Sequence, residues 1–424
     1  MNHNALMGKA VRASRKRPVE TSGSDLLVGV IVDPSLPYDR EIARGVAQYA
    51  REAGNWRLYI EEEEPRRLPD FQTWEGHGLI ASFDDQRVAR AVEAAGVPVV
   101  AVGGGAGYYD PASRIPYVET DNARVAEIAA EHLLGRGLQS CGFYGLPPSP
   151  TAVWSQARAH SFMSRVRAAG KSCQTFIAGH EATQWQSLQN ELVQWISSLP
   201  MPVGIMACDD IRARHVLEAC RTAGLCVPHD VAVIGVDDDD LLCEFSDPTL
   251  SSVRQAARRI GLEAARVLDR LMKRSGGKVR PGSRSRPERI KVPPIGVIAR
   301  RSTQTVAVAD LVIASVIRFV GERACGRVEI RDVVRESGLS RWVLEDRFRR
   351  ALGHSIHDEI LRVRLAEAQR LVTTTDLPLK VIAPRAGFLS VSYMTTLFRR
   401  HLGATPAAMR RDAGSEHFPI TGPT

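Results

Sequence analysis

Short runs of unbroken apolar residues occur at Leu26–Val32, Gly78–Ser82, Val97–Val102, Gly142–Gly145, Val203–Ala207 and Val231–Val236. Between them lie segments in which apolar residues return every three to four positions: Arg40–Ala53, Gln86–Ala95, Asn122–Arg136, Ser155–Ala168, Gln184–Ser198 and Ile211–Ala223. A run with no alternation predicts a strand buried on both faces, and the longer period predicts helices that cover it. Strand and helix in regular alternation predict a parallel sheet with helices on both sides. The pattern runs through two rounds separated near Gly135–Ser140, which predicts two Rossmann-like lobes. Asp121 stands at the expected N-cap of the helix that buries Ala126, Ile128, Ala129 and Leu133.

The segment Ser275–Arg289, with the five breakers Gly276, Gly277, Pro281, Gly282 and Pro287, reads as a loop, and the apolar run Ile290–Ile298 closes the α/β part. Beyond it the pattern becomes helical and doubled. Val333–Gly338 leads through Leu339-Ser340 into Arg341–Arg350, and Val381–Gly387 leads through Phe388-Leu389-Ser390 into Val391–Arg400. Each unit is an apolar short helix, a Gly for the tight turn, a Ser to cap the next helix and then a basic amphipathic helix. The two Ser caps stand fifty positions apart, and Gly403-Ala404-Thr405-Pro406 makes a further turn. Leu344, Phe348 and Leu352 form the buried stripe of the first long helix, so Trp342, Glu345, Asp346 and Arg349 point outward. In the second, Met394, Leu397 and Phe398 face inward, leaving Val391, Ser392, Thr395, Thr396 and Arg399 outside. A connecting helix over His354–Thr373 spans ~27 Å at ~1.5 Å per residue, which suits two helices entering DNA about one turn (~34 Å) apart. Pro384 inside the second unit's first helix removes a backbone donor, so that helix is expected to be short or kinked.

Charge adds to this picture. The chain of 424 residues carries a net charge of +8, unevenly placed: 18 Lys+Arg stand against 13 Asp+Glu from Ser302 onward, and 5 against 1 in the first 23 residues. The ends, not the near-neutral middle, suit a polyanion. The N-terminal run Lys9, Arg12, Arg15, Lys16 and Arg17 is expected to be a disordered, solubilising tail. Seven cysteines without a paired or zinc-finger spacing fit reduced thiols in a cytoplasmic protein. No segment has the length of a membrane span.

Open α/β lobes take small ligands at the carboxyl ends of their strands. The polar groups standing there are Tyr38-Asp39-Arg40, Asp84-Asp85, Asp209-Asp210 with Arg212, and Asp237-Asp238. Carboxylates that accept from adjacent hydroxyls, and guanidinium groups that donate to them, suit a neutral polyhydroxylated ligand, with Trp154 available to cover its C–H face. Taken singly, an Asp after a strand is more often a helix cap or a solvated loop group, and Trp154 is as much at home in a core or a lobe interface; the grouping is what points to a ligand. A sugar-processing enzyme is the weaker reading, because no phosphate loop is present and Gly103-Gly104-Gly105 has no Lys behind it. Neither a metal nor a cofactor is called for. A ligand-independent DNA-binding protein, with an α/β part used only for dimerisation, is the other alternative.

Residues 26–273 resemble a LacI/GalR-type sensor, related to periplasmic sugar-binding proteins, through Val118–Asn122, Cys208–Ala213, Val227–Asp238 and Thr249–Val253. Residues from Ala307 to Arg411 resemble an AraC/XylS-type domain through Ile382-Ala383, Gly387-Phe388, Ser392-Tyr393, Leu397-Phe398 and Thr405-Pro406. Having the sensor first and the reader last is an unusual order, and with Pro37–Arg40, Phe83–Asp85, Phe143–Pro147 and Val292–Pro294 the likeness covers nearly the whole chain. It implies a two-lobed periplasmic-binding-protein-like α/β sensor followed by an all-α domain with two helix-turn-helix units. The domains would be a basic tail (1–23), a sugar-sensing and dimerisation domain (24–302), a DNA-binding domain (303–412) and a C-terminal tail (413–424). It further implies a D-xylose-responsive activator that works as a homodimer on double-stranded DNA, with RNA polymerase as a partner and no catalytic residue. Carried over by position, the sugar contacts are Tyr38, Asp39, Arg40, Asp85, Trp154, Arg158, Asp210 and Asp237. The base-facing residues are Trp342, Glu345 and Asp346, then Val391, Ser392, Tyr393 and Thr396. Arg341, Arg349, Arg399, Arg400 and His401 suit phosphate.

Overall fold

A computed structural model describes residues 25–60, 71, 74–93, 95–105, 109, 114–178, 185–275, 288–304, 310–326 and 328–415. The expected N-terminal tail, residues 416–424 of the expected C-terminal tail and the Gly/Pro-rich loop at 276–287 lie outside the described residues, while residues 413–415 continue the last helix. The first lobe opens with β1 (Leu26–Ile31), α1 (Pro37–Ala53), β2 (Trp56–Ile60), β3 (Gly78–Ser82), α2 (Gln86–Glu93), β4 (Val99–Gly103) and β5 (Tyr117–Thr120). β1 pairs in parallel with both β2 and β3, β3 with β4, and β4 with β5. Every residue of β3 and β4 is buried, as central parallel strands covered on both faces must be.

The second lobe begins at α3 (Asn122–Leu134) and continues through β6 (Ser140–Gly145), α4 (Val153–Ala168), β7 (Ser172–Ile177), α5 (Trp185–Ser198), β8 (Val203–Ala207), α6 (Asp210–Thr222), β9 (Val231–Val236), α7 (Asp240–Glu244) and β10 (Ser251–Arg254). Parallel pairing joins β7 to β6, β6 to β8, β8 to β9 and β9 to β10. The chain then returns to the first lobe as α8 (Ala257–Ser275) and β11 (Arg289–Val292), and β12 (Gly296–Ile298) closes the second sheet antiparallel to β10.

The division between lobes therefore falls at Thr120 and again after Ala256, not near Gly135–Ser140. The reason is packing. Val125, Ala126, Ala129 and Leu133 of α3 share one core with Cys141 and Phe143 of β6, so α3 covers the sheet of the second lobe. In the first lobe α8 lies along α1 at backbone contact. A Cβ on Gly45 would stand 2.0 Å from the Arg258 carbonyl oxygen, and one on Gly261 2.0 Å from that of Ile42. Only glycines allow that approach.

The C-terminal part is all helix: α9 (Leu311–Arg323), α10 (Ile330–Ser337), α11 (Arg341–Leu352), α12 (Ile356–Thr374), α13 (Leu379–Arg385), α14 (Val391–Leu402) and α15 (Pro406–Ser415). It holds two separate cores. Ile313, Val316, Val320, Val333, Leu344 and Phe348 make the first; Ala368, Ile382, Ala383, Ala386, Met394 and Phe398 make the second. The 19-residue α12 contributes to both, with Ile360 in one and Leu365, Ala368 and Leu371 in the other. α13 is only seven residues long, with Pro384 next to last, where the lost N–H forfeits one bond near an end already due. Among the described residues no helix is long and apolar enough to cross a membrane.

Candidate ligand site and nucleic-acid surface

In the first lobe the turn after β1 and the start of α1 bring Tyr38 and Asp39 together with the ends of β3 and β4. The Tyr38 hydroxyl donates to the Gly103 carbonyl at 3.1 Å. Asp39 is buried, and its Oδ2 accepts from the Asp33 N–H at 2.8 Å. Burial, with a smaller contribution from the like charges of Asp84 and Asp33, pushes its carboxyl up to about 7, against the lowering bond from Asp33. Asp84 closes the group from β3, its oxygens 2.8 Å from where a Cβ on Gly103 would stand. The neighbouring Asp85, the residue expected here, is engaged elsewhere. It accepts from the Arg87 N–H at 2.7 Å and pairs with the Arg87 guanidinium at 2.7 Å, which caps α2. Arg40 is exposed and donates to the carbonyls of Pro34 and Ser35, both at 2.9 Å, so it braces its own loop.

The second lobe's group centres on Arg158 of α4, only 2% exposed. Its Nε donates to Asn122 Oδ1 at 2.9 Å, its Nη1 to the Cys208 carbonyl at 2.6 Å, and its guanidinium lies over the Trp154 ring at 4.6 Å. Asn122, the first residue of α3, donates through Nδ2 to the Gly104 carbonyl. Asp237 follows β9 with φ 112°, a strained value for a side-chain-bearing residue. Its Oδ1 accepts from Gln255 Nε2, while Gln255 Oε1 accepts from Thr120 Oγ1 at 2.7 Å. Burial raises the Asp237 carboxyl to about 7, opposed by the charge of Arg158 and reinforced by Asp209. Asp209 serves as the N-cap of α6, accepting from the Arg212 N–H and pairing with its guanidinium.

Asp210, expected among the sugar contacts, has both carboxylate oxygens engaged by the protein. It is 1% exposed; Oδ1 accepts from Ser252 Oγ at 2.6 Å and Oδ2 from the Asp239 N–H at 2.9 Å. Burial, then the charge of Asp237, raises it well above the usual carboxylate range. It braces the strand end that presents Asp237. Asn122 and Gln255 were not singled out as ligand contacts in the sequence, although each is a polar residue at a strand or helix end that the fold buries.

The DNA-reading surface follows the doubled pattern. Gly338 (φ 65°) and Gly387 (φ 80°) take left-handed backbone at the two turns. Ser340 Oγ accepts from the Val343 N–H at 3.5 Å and Ser390 Oγ from the Tyr393 N–H at 3.2 Å, capping α11 and α14. Each cap is worth ~1 kcal/mol. Trp342 is 77% exposed, and Arg341, Arg349, Ser392, Tyr393, Thr396, Arg399, Arg400 and His401 are exposed with it. Glu345, Asp346 and Val391 are half-buried; Asp346 pairs with Arg350 at 2.9 Å, and Val391 leans on the second core. Leu389, just before the Ser390 cap, is fully exposed, an apolar group on this surface that periodicity did not single out.

Two parallel-sheet lobes crossed three times by the chain, joined to a pair of capped helix-turn-helix units, define a ligand-sensing transcription regulator rather than an enzyme. Residues 28–123 match the family described as XylR N-terminal domain, residues 130–303 the periplasmic binding protein-like domain, and residues 333–412 a helix-turn-helix domain. The chain is 33% identical to the xylose operon regulatory protein of Escherichia coli K12 over 92% of its own length and 97% of that protein's. It is 31% identical to the Haemophilus influenzae protein of the same name over 90% and 97%. A solved structure titled xylose-binding transcription activator xylR superposes with a TM-score of 0.75 at 32% identity, covering 91% of this chain and 98% of that one. A structure of the regulator CelR with cellobiose, at 22% identity and TM-score 0.51, shares the sensor fold. The chain belongs to the xylose operon regulatory protein family.

Two outcomes follow from this geometry. Without sugar, Asp39→Asn is expected to raise the melting temperature by more at pH 8.5 than at pH 4.5. With a folded-state pKa of about 7, wild-type stability is lost progressively as pH rises from the ordinary carboxylate range, where the unfolded chain ionises, to about 7, and the variant is spared this loss. Equal shifts at both pH values would contradict the burial of an ionising Asp39. Arg400→Ala is expected to weaken binding to all DNA sequences alike and to lower the slope of log K against log salt by ~0.9.

Proposed function

We propose that this regulator is a D-xylose-responsive activator of transcription, working as a homodimer on operator DNA with RNA polymerase as its further partner. The observation that carries the sugar reading is the buried Arg158, flanked by Asn122, Trp154 and Asp237. A guanidinium and a carboxylate with spare hydrogen-bonding capacity, beside an aromatic face, form the equipment for adjacent hydroxyls and a C–H ring face. In this reading Arg158 and Asn122 donate to sugar hydroxyls, Asp237 accepts, and Trp154 covers the ring. Gln255 orients Asp237; Tyr38, Asp39 and Asp84 of the first lobe are separate candidates for contact with a sugar. Arg40, Asp85 and Asp210 act at one remove, on loop, cap and strand end. Xylose in the names of the similar proteins supports D-xylose as the sugar.

On the DNA side, Trp342, Glu345 and Asp346 of α11 and Val391, Ser392, Tyr393 and Thr396 of α14 are proposed to face bases. Apolar groups would meet thymine methyls, and carboxylates would accept from cytosine N4. Arg341, Arg349, Arg399 and Arg400 would meet phosphates, which adds affinity without sequence information. Sugar regulates DNA binding only if it prefers one arrangement of the protein over another.

The test is a thermal-shift and calorimetric screen of pentoses and hexoses on the full chain, paired with DNA-affinity measurements. D-xylose is expected to raise the melting temperature, because a ligand at 100 times its Kd adds ~2.7 kcal/mol to the folded state. Asp237→Ala is expected to abolish that shift and the DNA response while leaving sugar-free DNA affinity unchanged. An Asp237→Ala variant that responds to D-xylose normally contradicts the pocket assignment. If no sugar shifts the wild type, the α/β part serves dimerisation alone.

A further inference from the structure

The helical DNA-binding part touches the second lobe through α9 and α12. Arg318 of α9 donates through Nη2 to Asp230 Oδ1 at 2.8 Å, and Asp230 Oδ2 accepts from the Cys226 N–H at 2.8 Å, which closes the 226–230 loop beneath it. One turn farther along α9, Gly321 sits under the His229 ring: a Cβ there would stand 2.9 Å from Nε2. Arg301 reaches Glu367 of α12 at 3.9 Å and Asp247 at 3.8 Å. These contacts frame a cavity of about 760 Å³ walled by residues 226–229 and 244–249 of the lobe on one side and by α9 and α12 on the other.

What matters is where the lobe's half of this joint leads. Asp230 is the residue before β9, and the residue after β9 is Asp237, so one strand joins the Arg318 contact to the proposed sugar carboxylate. Its six residues span ~20 Å. β9 lies between β8 and β10 and is buried throughout, so its two ends move together. A parallel connection runs through α7: Asp210 holds the Asp239 N–H at its start, and its far end enters the 244–249 wall of the cavity.

We propose that Arg318 and Asp230 are positioning residues for regulation. They fix the DNA-binding part on the second lobe, so that sugar held at Asp237 changes DNA affinity by way of β9 and α7. The inference rests on the functional reading above. Arg318 is 45% exposed and Asp230 13%, so the substitution is made on the solvated partner, and the melting temperature of each variant separates lost coupling from lost stability.

The experiment uses the full chain and a promoter fragment carrying its footprinted site. DNA affinity is measured with and without saturating D-xylose, and D-xylose affinity is measured by calorimetry. Wild-type coupling is expected within the about 5- to 150-fold range usual for linked sites. Arg318→Glu is expected to cut that factor at least about threefold, with sugar affinity and sugar-free DNA affinity held within about twofold. Arg318→Lys, which keeps the charge, is expected to retain wild-type coupling. Undiminished coupling in Arg318→Glu overturns the proposal, as does outright loss of sugar or DNA binding, which marks a merely structural role. Equal loss in Arg318→Lys overturns it too. A wild type with no coupling removes the functional reading and the clamp together; coupling that survives Arg318→Glu removes the clamp alone.

Discussion

A guanidinium taken out of water costs several kcal/mol unless its donors and its charge are met, and Arg158 is almost wholly buried. The second lobe is organised to meet them. Asn122 at the head of α3, the Cys208 carbonyl after β8, the Trp154 ring on α4 and the carboxylate of Asp237 after β9 each answer part of the need. Four elements are thereby fixed at their functional ends by one side chain. The same arrangement leaves a charged, dry group beside a carboxylate, which is the condition in which hydrogen bonds to hydroxyls count most.

Around this centre the acidic residues divide their labour by position. Asp238, with φ 56°, is fully engaged by Arg254 at 2.5 Å and Arg300 at 2.7 Å and ties the chain after β12 to the strand end. Asp210 is consumed by Ser252 and the Asp239 N–H. Asp209 caps α6. Asp237 is held by Gln255 on one oxygen in a backbone conformation that its surroundings must enforce. Strain of this kind gathers where a side chain has to be aimed.

Much of this was legible in the sequence because it repeats simple periods. Central strands covered on both faces read as unbroken apolar runs, and the Gly–Ser punctuation of the two helix-turn-helix units gave both turns and both caps. The misses have physical causes. β2 and β7 are edge strands with exposed or half-buried residues, so they lack the apolar run, and β10 spends Ser251 and Ser252 on buried hydrogen bonds. The lobe boundary was misplaced because the period of α3 shows which face it buries, not which sheet it covers. Asp84 and Asp85 are chemically identical neighbours; only the fold shows that one closes on Asp39 while the other caps α2. Gln255 and Thr120 lie 135 positions apart, and no local pattern reports such a pair.

In the proposed function Arg158 is buried for the sake of a sugar rather than for the fold alone. Calorimetric titration of D-xylose into the wild type and into Arg158→Met, both checked for cooperative melting, tests it most directly. Methionine fills much of the space without charge or donors, and removing a charged hydrogen-bonding partner from a buried site costs 3–5 kcal/mol as an order of magnitude, roughly a hundredfold or more in affinity. The expected result is a folded variant whose D-xylose affinity has fallen by at least about a hundredfold. A folded variant that binds D-xylose as tightly as the wild type would contradict it.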